Sequence, residues 1–405
     1  MDFTFTEEQQ AATEAAKAVF SGVVPDGVPS PALVPGAVAE DIDRPLWAGL
    51  ASGDLLSLTL SPEHGGAGLD LVALCLVLRE SAKVLARVPL LETCAVAMAL
   101  QRYGNPRLAA ELLPRVGRGE LVLTAGANGR TGHDPAELAV TARREAAAGT
   151  DAGAGSDGAG AGSGSGAGAG ADSDGGWVLD GTQSAVPWAQ AADWIAIPAH
   201  IDEGRAVVAL IQPAQDGVTL AEQVSTSGER FAEVRLESVR VDGQALIDEP
   251  GAWEWLRALL TTGTCALALG LGEAVLAMTS QYTGKREQFG FPVATFQSVA
   301  VQTADRYIDL RAMEVTLWQA AWRISTGAAG ALPAEGDIAV AKIWASDGVR
   351  RVVQTAQHLH GGFGADTDYP LHRFHAWAKQ IELSLGPAAA HEEALGDLLA
   401  AHLLG

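Results

Sequence analysis

The sequence predicts an α+β protein of three domains: an N-terminal α-helical domain, a middle β-barrel or sandwich domain, and a C-terminal four-helix-bundle domain. Apolar segments with helix-start signals fill residues 1–120, short β-rich runs separated by turn residues fill 121–250, and long apolar segments return over 251–405. A chain of 405 residues is also too long to fold around one small hydrophobic core. We therefore take these three ranges as the predicted domains.

The first domain opens with a clear helix-start signal. Thr6 with Gln9 three residues later forms a capping-box pattern, which predicts a helix to about Phe20. A Pro-rich loop over 24–35 follows. Further helices are predicted over residues 45–52, 69–86, 90–103 and 106–116.

The middle domain is predicted from short apolar runs rich in β-formers. These lie at residues 121–124, 138–142, 177–179, 194–198, 206–211 and 233–236. Pairs such as Asp180-Gly181 and Asp242-Gly243 mark the strand ends. Residues 149–176 contain only Gly, Ala, Ser, Asp and Thr, from which no core can be built. We predict that they form a disordered surface loop inserted in this domain.

The last domain is predicted as long helices over residues 253–285, 296–326, 333–358, 371–385 and 387–404. The first of these is apolar nearly all round, which is typical of a helix in the middle of a bundle. A short polar stretch from Arg286 to Gln297 joins it to the second helix.

That polar stretch is the strongest candidate for a ligand site. It reads Arg286-Glu287-Gln288-Phe289-Gly290 and is closed by Phe296-Gln297. A guanidinium offers a planar fork of donors that suits a diphosphate, and amides add directional hydrogen bonds. Either phenylalanine could lie against an adenine or a ribose. The alternative is a helix–helix turn with ordinary surface charges.

Composition excludes several classes of function. Lys plus Arg number 27 against 49 Asp plus Glu, a net charge of −22, which argues against binding to nucleic acid or to an anionic membrane. No run of about 20 apolar residues predicts a membrane span, and the N-terminus lacks a signal-peptide pattern. Cys75, Cys94 and Cys265 lie in apolar runs and are expected to be buried free thiols of a cytoplasmic protein.

No metal site is predicted. His358, His360 and His372 lie near one another in sequence, but no carboxylate or cysteine completes a ligand set around them.

The order of the three domains, with Arg286-x-Gln288-Phe289-Gly290 in the bundle, resembles the acyl-CoA dehydrogenase family. The resemblance covers the whole chain apart from the Gly/Ala/Ser-rich loop. Its other landmarks are the helix start over residues 3–10, the turn over 62–68 similar to "P-E-x-G-G-x-G", residues 179–182 followed by Ala192-Asp193, and residues 359–364 similar to "Q-x-H-G-G-x-G".

The resemblance implies an FAD enzyme that performs α,β-dehydrogenation of an acyl-CoA thioester. In the family a Glu removes the α-proton and the β-hydrogen leaves as hydride to the flavin. The Arg motif reaches across a subunit interface to the adenosine diphosphate part of the neighbour's FAD. The implied cofactor-binding residues are Arg286, Gln288, Phe289, Gln297, His358 (where the family has Gln), Gly361 and Gly362.

The chain departs from the family at the reacting centre. Leu385 stands where the family base is expected, and Leu260 stands at the alternative base position of some branches. A leucine cannot take a proton, so no catalytic residue is predicted in this chain. The nearby carboxylates Glu382, Glu254 and Glu273 are out of register with both positions.

The flavin-ring segment has changed as well. Ala185-Val186-Pro187-Trp188 matches the family's aromatic-Ile-Thr-Asn segment, and Pro187 supplies neither a hydroxyl nor an N–H. We expect Trp188 to take a core or interface position.

This combination resembles the base-less β-type subunits of actinobacterial α2β2 steroid-CoA dehydrogenases. The resemblance implies a homologous catalytic partner that carries the Glu and the ring site, an FAD shared across the interface, and a bulky acyl-CoA bound mainly by the partner. Two alternatives stay open: a self-sufficient homotetramer that uses a displaced carboxylate such as Glu382, and a non-enzymatic scaffold or binding protein. The acyl group is not defined by the sequence.

Overall fold

The computed structural model describes residues 4–132, 137–145, 176–201 and 204–402. The predicted Gly/Ala/Ser-rich loop lies outside these ranges except for Gly176. The N-terminal helices are α1 (Glu7–Phe20), α2 (Arg44–Ser52), α3 (Leu71–Lys83), α4 (Leu90–Tyr103) and α5 (Pro106–Gly117).

The capping box predicted at the start of α1 is confirmed. The Gln9 backbone N–H donates to Thr6 Oγ1 at 3.2 Å, and the Thr6 N–H donates to Gln9 Oε1 at 3.0 Å. Gln9 also donates through Nε2 to Asp70 Oδ1 at 3.1 Å. Because Asp70 caps the first turn of α3, this contact fixes the start of α1 against the start of α3.

The middle strands form one mixed sheet in the order β6-β7-β3-β2-β4-β5-β8, with β1 parallel to β4. They are β1 (Leu123–Ala125), β2 (Val140–Arg144), β3 (Trp177–Pro187), β4 (Trp194–His200), β5 (Ala206–Ile211), β6 (Val218–Val224), β7 (Arg230–Val241) and β8 (Leu246–Ile247). The sequence did not predict β6 and β8, which pair only with β7 and β5. The predicted β domain between two helical domains is confirmed.

The C-terminal part consists of long helices and one small hairpin. Its elements are α6 (Ala252–Lys285), β9 (Glu287–Gln288), β10 (Phe291–Pro292), α7 (Gln297–Thr326), α8 (Ala334–His360), α9 (Leu371–Leu383) and α10 (Ala388–Ala401), with a 3-10 turn over Gly361–Ala365.

Helix α6 is the central element of this part. Its most apolar window is apolar enough for a membrane span, but 78% of that window is buried inside the protein, so it is a core helix. A Cβ added at Gly270 would lie 1.9 Å from the Arg79 carbonyl oxygen. Only glycine therefore allows α3 and α6 to approach as closely as they do.

A single apolar core runs through all three parts of the chain. Polar bonds cross between the parts at its edge. Thr93 Oγ1 on α4 donates to the Leu123 carbonyl at 2.8 Å, and Thr226 Oγ1 in the β6–β7 turn donates to the Ala376 carbonyl on α9 at 2.8 Å. These bonds connect the β domain to the helices on both sides of it. The three cysteines are buried free thiols, as predicted.

Candidate functional site

The Arg286 stretch forms an exposed β-hairpin at the end of α6. Gln288 pairs with Phe291, and Glu287 with Pro292. Phe289 (φ 55°) and Gly290 (φ 82°) both lie in the left-handed region, as a type I′ turn requires. A bulky residue there is strained, and Phe289 is 91% exposed. Strain held at an exposed tip is typical of a binding element.

Arg286 is free to bind a ligand. Its backbone is held, because the N–H donates to the Tyr282 carbonyl at 2.9 Å and the carbonyl accepts from the Val293 N–H at 2.7 Å. Its exposed guanidinium has no ion-pair or hydrogen-bond partner within the described ranges. The neighbouring Gln288 donates through Nε2 to the Glu287 carbonyl at 2.7 Å.

The aromatic residues of the stretch lie beside a helix start. The rings of Phe289 and Phe296 meet edge to face, with centroids 6.4 Å apart. Gln297 is exposed and is the first residue of α7. Since the first N–H groups of a helix lack partners within it, this corner offers backbone donors as well as Arg286.

The Gly361-Gly362 turn offers open backbone at the end of α8. Gly361 has φ 60° and ψ −140°, a conformation that is essentially restricted to glycine. A Cβ built at either glycine meets nothing within 4 Å, so the space above this backbone is free. Gln357 Nε2 donates to the Gly361 carbonyl at 3.0 Å. His358, the predicted ligand, is exposed one residue further on.

An aromatic stack of Tyr282, His360, Phe363 and Tyr369 joins the hairpin to this turn. The rings of Tyr282 and His360 are parallel, with centroids 4.2 Å apart, and those of Phe363 and Tyr369 are 4.4 Å apart. Tyr282 lies one helical turn before Arg286, and His360 directly precedes Gly361. The structure therefore brings the predicted cofactor-binding residues together at one end of the bundle.

The hydrogen bonds of His360 suit its neutral form. Nδ1 lies 2.8 Å from the Ala356 carbonyl and must donate to it. In the neutral ring, Nε2 lies 3.1 Å from Tyr369 Oη and accepts from that hydroxyl. Burial lowers the pKa of His360 and raises the pKa of Tyr369, which agrees with this neutral pair.

The two predicted base positions face a small internal cavity. Leu260 and Leu385 are buried and both line a space of about 90 Å³ among α3, α4, α6, α9 and the sheet. Trp188 and Phe231 line it as well. Sites for drug-sized ligands are usually about 300–1,000 Å³, so this space is small for a flavin ring with an acyl chain.

Leu385 is held in a defined conformation. Its N–H donates to Asn128 Oδ1 at 3.0 Å, and its φ of 58° lies in the left-handed region. The β domain thus fixes the backbone at this predicted base position, and Leu385 is one of the residues that line the cavity.

The three carboxylates considered from the sequence are used elsewhere. Glu382 accepts from Lys379 Nζ at 2.9 Å. Glu273 is ion-paired with Arg79 and Lys83. Glu254 is exposed and lines a separate cleft. None of the three is among the residues that line the cavity.

Sequence reasoning missed two other carboxylates that do line the cavity, Glu92 and Glu229. Glu229 is 2% exposed and accepts from Gln380 Nε2 at 3.1 Å. Burial raises its pKa to about 8 although the Arg87 charge opposes the shift. Burial raises the pKa of Glu92 to about 7. The only signal in the sequence was a lone Glu inside the apolar run of α4.

The geometry separates two functions. The exposed end can hold a polyphosphate through Arg286, helix-start N–H groups and the open glycine backbone. The cavity end cannot remove a proton through residue 260 or 385. Within the described residues, no group of three or more His, Cys, Asp or Glu side chains is arranged to hold a metal.

Two family models match the chain. The model of the acyl-CoA dehydrogenase N-terminal domain matches residues 6–120, and that of the acyl-CoA dehydrogenase C-terminal domain matches residues 260–399. The acyl-CoA dehydrogenase FadE27 of Mycobacterium tuberculosis (strain ATCC 25618 / H37Rv) is 31% identical over 405 residues, with 99% of each chain covered.

Two solved structures share the whole fold. The ChsE4-ChsE5 complex from Mycobacterium tuberculosis contains a chain that is 32% identical, with a TM-score of 0.83 and 99% of each chain covered. A variant of the Tcur3481-Tcur3483 steroid ACAD contains one that is 34% identical, with a TM-score of 0.82 and 98% of each chain covered.

Proposed function

This chain belongs to the acyl-CoA dehydrogenase family, and we propose that it is the subunit of an FAD-dependent acyl-CoA dehydrogenase that lacks the catalytic base. In this proposal it completes the FAD site of a homologous catalytic partner. One observation carries the proposal: both base positions are buried leucines around a small cavity, while the hairpin with Arg286 projects into solvent.

The exposed end fits the adenosine diphosphate part of FAD. Arg286 would bind the diphosphate, supported by Gln288 and Gln297, and Phe289 would lie against the adenosine. Gly361 and Gly362 would let their backbone approach the same group, and His358 would add a donor. Because these groups point away from their own chain, we propose that they serve an FAD whose ring lies in the partner.

The cavity end fits the flavin ring poorly. Pro187 and Trp188 occupy the ring segment, and Trp188 lines the cavity. When bound, FAD supplies the oxidant that takes up hydride from the substrate. Proton removal would then fall to a Glu of the partner, because Leu260 and Leu385 cannot accept a proton.

An apolar stripe on α7 supports assembly with a second chain. Val301, Ile308 and Val315 are exposed at seven-residue spacing, which aligns them on one face of the helix. Exposed Tyr307 flanks the stripe. Apolar and aromatic side chains arranged in this way are typical of interfaces. We propose a heterotetramer of two chains of each kind, located in the cytoplasm.

We propose a bulky, steroid-derived acyl-CoA as the substrate, bound mainly by the partner. The support is the similarity to a structure described as a steroid ACAD, at 34% identity over nearly the whole chain.

Expression of this chain alone and together with its homologous partner tests the proposal. We expect flavin colour and dehydrogenase activity only after co-expression, with two FAD per four chains. A lone chain that purifies with one FAD per subunit and oxidises an acyl-CoA would instead establish the self-sufficient homotetramer. Absence of flavin from every combination would favour the scaffold alternative.

A further inference from the structure

The cavity behind Leu385 has a polar end that the proposed function does not use. Glu92, Glu229, Gln380 and Trp377 line it there. An outer pocket of about 280 Å³ lies next to it and shares Trp188 and Glu229 with the cavity as lining residues. The two spaces are therefore adjacent at these two side chains.

Two buried donors at this end lack acceptors among the described residues. Trp377 is 9% exposed, and its indole Nε1 has no hydrogen-bond partner. Arg87, 6% exposed, lines the outer pocket; its Nη2 pairs with Asp26, but its Nε and Nη1 have no partner. Buried donors are normally satisfied, so these N–H groups point to an acceptor-rich ligand.

The carboxyl groups supply further donors. Burial raises the pKa of Glu229 to about 8 and that of Glu92 to about 7, so at neutral pH Glu229 holds its proton and Glu92 holds its proton in part. A protonated carboxyl donates one hydrogen bond. Gln380 on α9 fixes Glu229 through the 3.1 Å bond, and Trp377 lies three residues earlier on the same helix face.

Most of the remaining lining is apolar, and Ser81, Asn128, Thr264 and Ser384 are its further polar residues. Leu260, Leu267, Ile381 and Leu385 are among the apolar lining residues. A ligand that fits both ends has an oxygen-bearing anionic head and a short hydrocarbon tail, and a space of about 90 Å³ limits that tail to a few carbons.

We propose that this cavity binds a short-chain monocarboxylic acid, whose carboxylate accepts from the Trp377 N–H and lies beside the carboxyl of Glu229. The tail lies against Leu260 and Leu385. Binding of the anion requires the carboxyl groups of Glu92 and Glu229 to hold their protons. This site does not depend on the proposed shared FAD, because it uses none of the residues at the exposed end.

Both acidic and basic residues surround the site. The net charge next to the ligand therefore depends on whether the two cavity carboxyls are protonated. Glu92 and Asp26 raise the pKa of Glu229, and Arg87 lowers it. The outer pocket adds four charged residues to these: Glu40, Asp41, Arg44 and Arg230. Above pH 8 both cavity carboxyls ionise, and a bound carboxylate is then repelled. Affinity should fall by up to about tenfold per pH unit for each proton lost.

Calorimetric titration of the purified full-length chain with formate, acetate, propionate, butyrate and octanoate tests the proposal. Sodium chloride at equal ionic strength is the control for salt effects. We expect the affinity to rise with tail length and to drop sharply at octanoate. We also expect the binding enthalpy to depend on the ionisation enthalpy of the buffer, which reports proton uptake on binding. Binding that matches chloride, or that keeps rising through octanoate, would overturn the proposal.

Two variants locate the binding. Trp377→Phe removes the indole N–H together with one ring of the side chain, on which Arg87 lies at 5.2 Å, and should weaken butyrate binding about tenfold. Trp344→Phe makes the same change at a partly exposed position on α8 and should not alter butyrate binding. Glu229→Gln should reduce the dependence of affinity on pH between 7 and 9. If Trp377→Phe unfolds the chain, the Glu229→Gln profile and the tail-length cut-off on the unaltered protein still decide the outcome. Equal affinity in Trp377→Phe and the unaltered chain would contradict the assignment.

Discussion

At the residue scale, Arg286 gives the most direct test of cofactor binding. Its guanidinium is exposed and has no partner in the described part of the chain, so its removal breaks no internal bond. Arg286→Ala should weaken FAD binding by the co-expressed complex by about 10- to 100-fold, since a charge-assisted hydrogen bond contributes about 1.5–3 kcal/mol. Flavin absorbance relative to protein, and reconstitution with FAD followed by fluorescence, measure this.

The adjacent cation provides the control. Lys285→Ala removes an equal charge one residue earlier and should leave the flavin content nearly unchanged. Arg286→Lys keeps a point charge but loses the planar fork, and an intermediate affinity is expected. Unchanged flavin in Arg286→Ala, with the assembly intact by light scattering, would defeat the role given to this residue.

Glu229 predicts an unusual dependence of stability on pH. Its pKa is raised from 4.5 to about 8, so the folded state holds a proton that the unfolded state releases above pH 4.5. The free energy of unfolding therefore falls as pH rises from 4.5 to 8, and the lost stability stays absent above pH 8. Glu229→Gln should flatten this decline and be more stable at pH 9 by on the order of 2 kcal/mol.

Urea denaturation at several pH values measures this effect. The exposed Glu393→Gln serves as the matched control and should follow the unaltered chain. Parallel pH profiles for Glu229→Gln and the unaltered chain would show that Glu229 ionises in the folded state without a penalty.

At the scale of elements, the aromatic stack couples the hairpin to the glycine turn. Tyr282→Ala removes the ring that stacks on His360 and should weaken FAD binding by the complex at least tenfold, because the two binding elements lose their common support. Tyr282→Phe keeps the ring and loses only the 3.5 Å bond to the His360 carbonyl, so it should restore affinity.

A second tyrosine in an aromatic pair serves as the control. Tyr103 meets Trp255 at 5.7 Å, away from the hairpin, and Tyr103→Ala should leave FAD affinity unchanged. If Tyr282→Ala binds FAD normally while Arg286→Ala does not, the stack has no positioning role and the assignment of Arg286 remains valid.

The sequence predicted the helices better than the sheet because helix signals are local. The capping box at Thr6 and the apolar periodicity each depend on a few neighbouring residues. Strand β6 was missed because Val218–Val224 is half-exposed and pairs only with β7, so its apolar signal is weak. The hairpin at Phe289 was expected only as a polar corner, since a phenylalanine with positive φ is not a turn signal.

The site was predictable only where it is contiguous in sequence. Arg286 and Gly361 lie in recognisable short motifs, and the structure brings them together through Tyr282 and His360. Glu92 and Glu229 are 137 positions apart and meet only because α4, the β6–β7 turn and α9 pack around one cavity. Their raised pKa values follow from that burial, which no local pattern encodes.

At the scale of the whole molecule, the three domains meet at the cavity while the proposed cofactor contacts lie on the periphery. Glu92 comes from the N-terminal domain, Glu229 from the β domain, and Trp377 from the C-terminal helices. A change in this cavity therefore acts on domain packing. A change at Arg286 affects only the proposed contact with an FAD bound by the partner chain. The two regions can therefore be altered independently.

The exposed stripe on α7 allows assembly to be tested separately from folding. Ile308 is 62% exposed, so Ile308→Asp should leave the chain folded, but it would bury a charge if a partner covers this face. We expect the affinity for the partner to fall at least 100-fold, about 3 kcal/mol.

Co-purification with a tagged partner and molar mass by light scattering measure assembly, and circular dichroism measures folding. Val24→Asp adds the same charge at a still more exposed site and should assemble normally. A fully assembled Ile308→Asp complex would mean that the partner binds elsewhere. Loss of assembly together with loss of FAD would connect the stripe to the hairpin, because a shared cofactor is complete only when both chains are present.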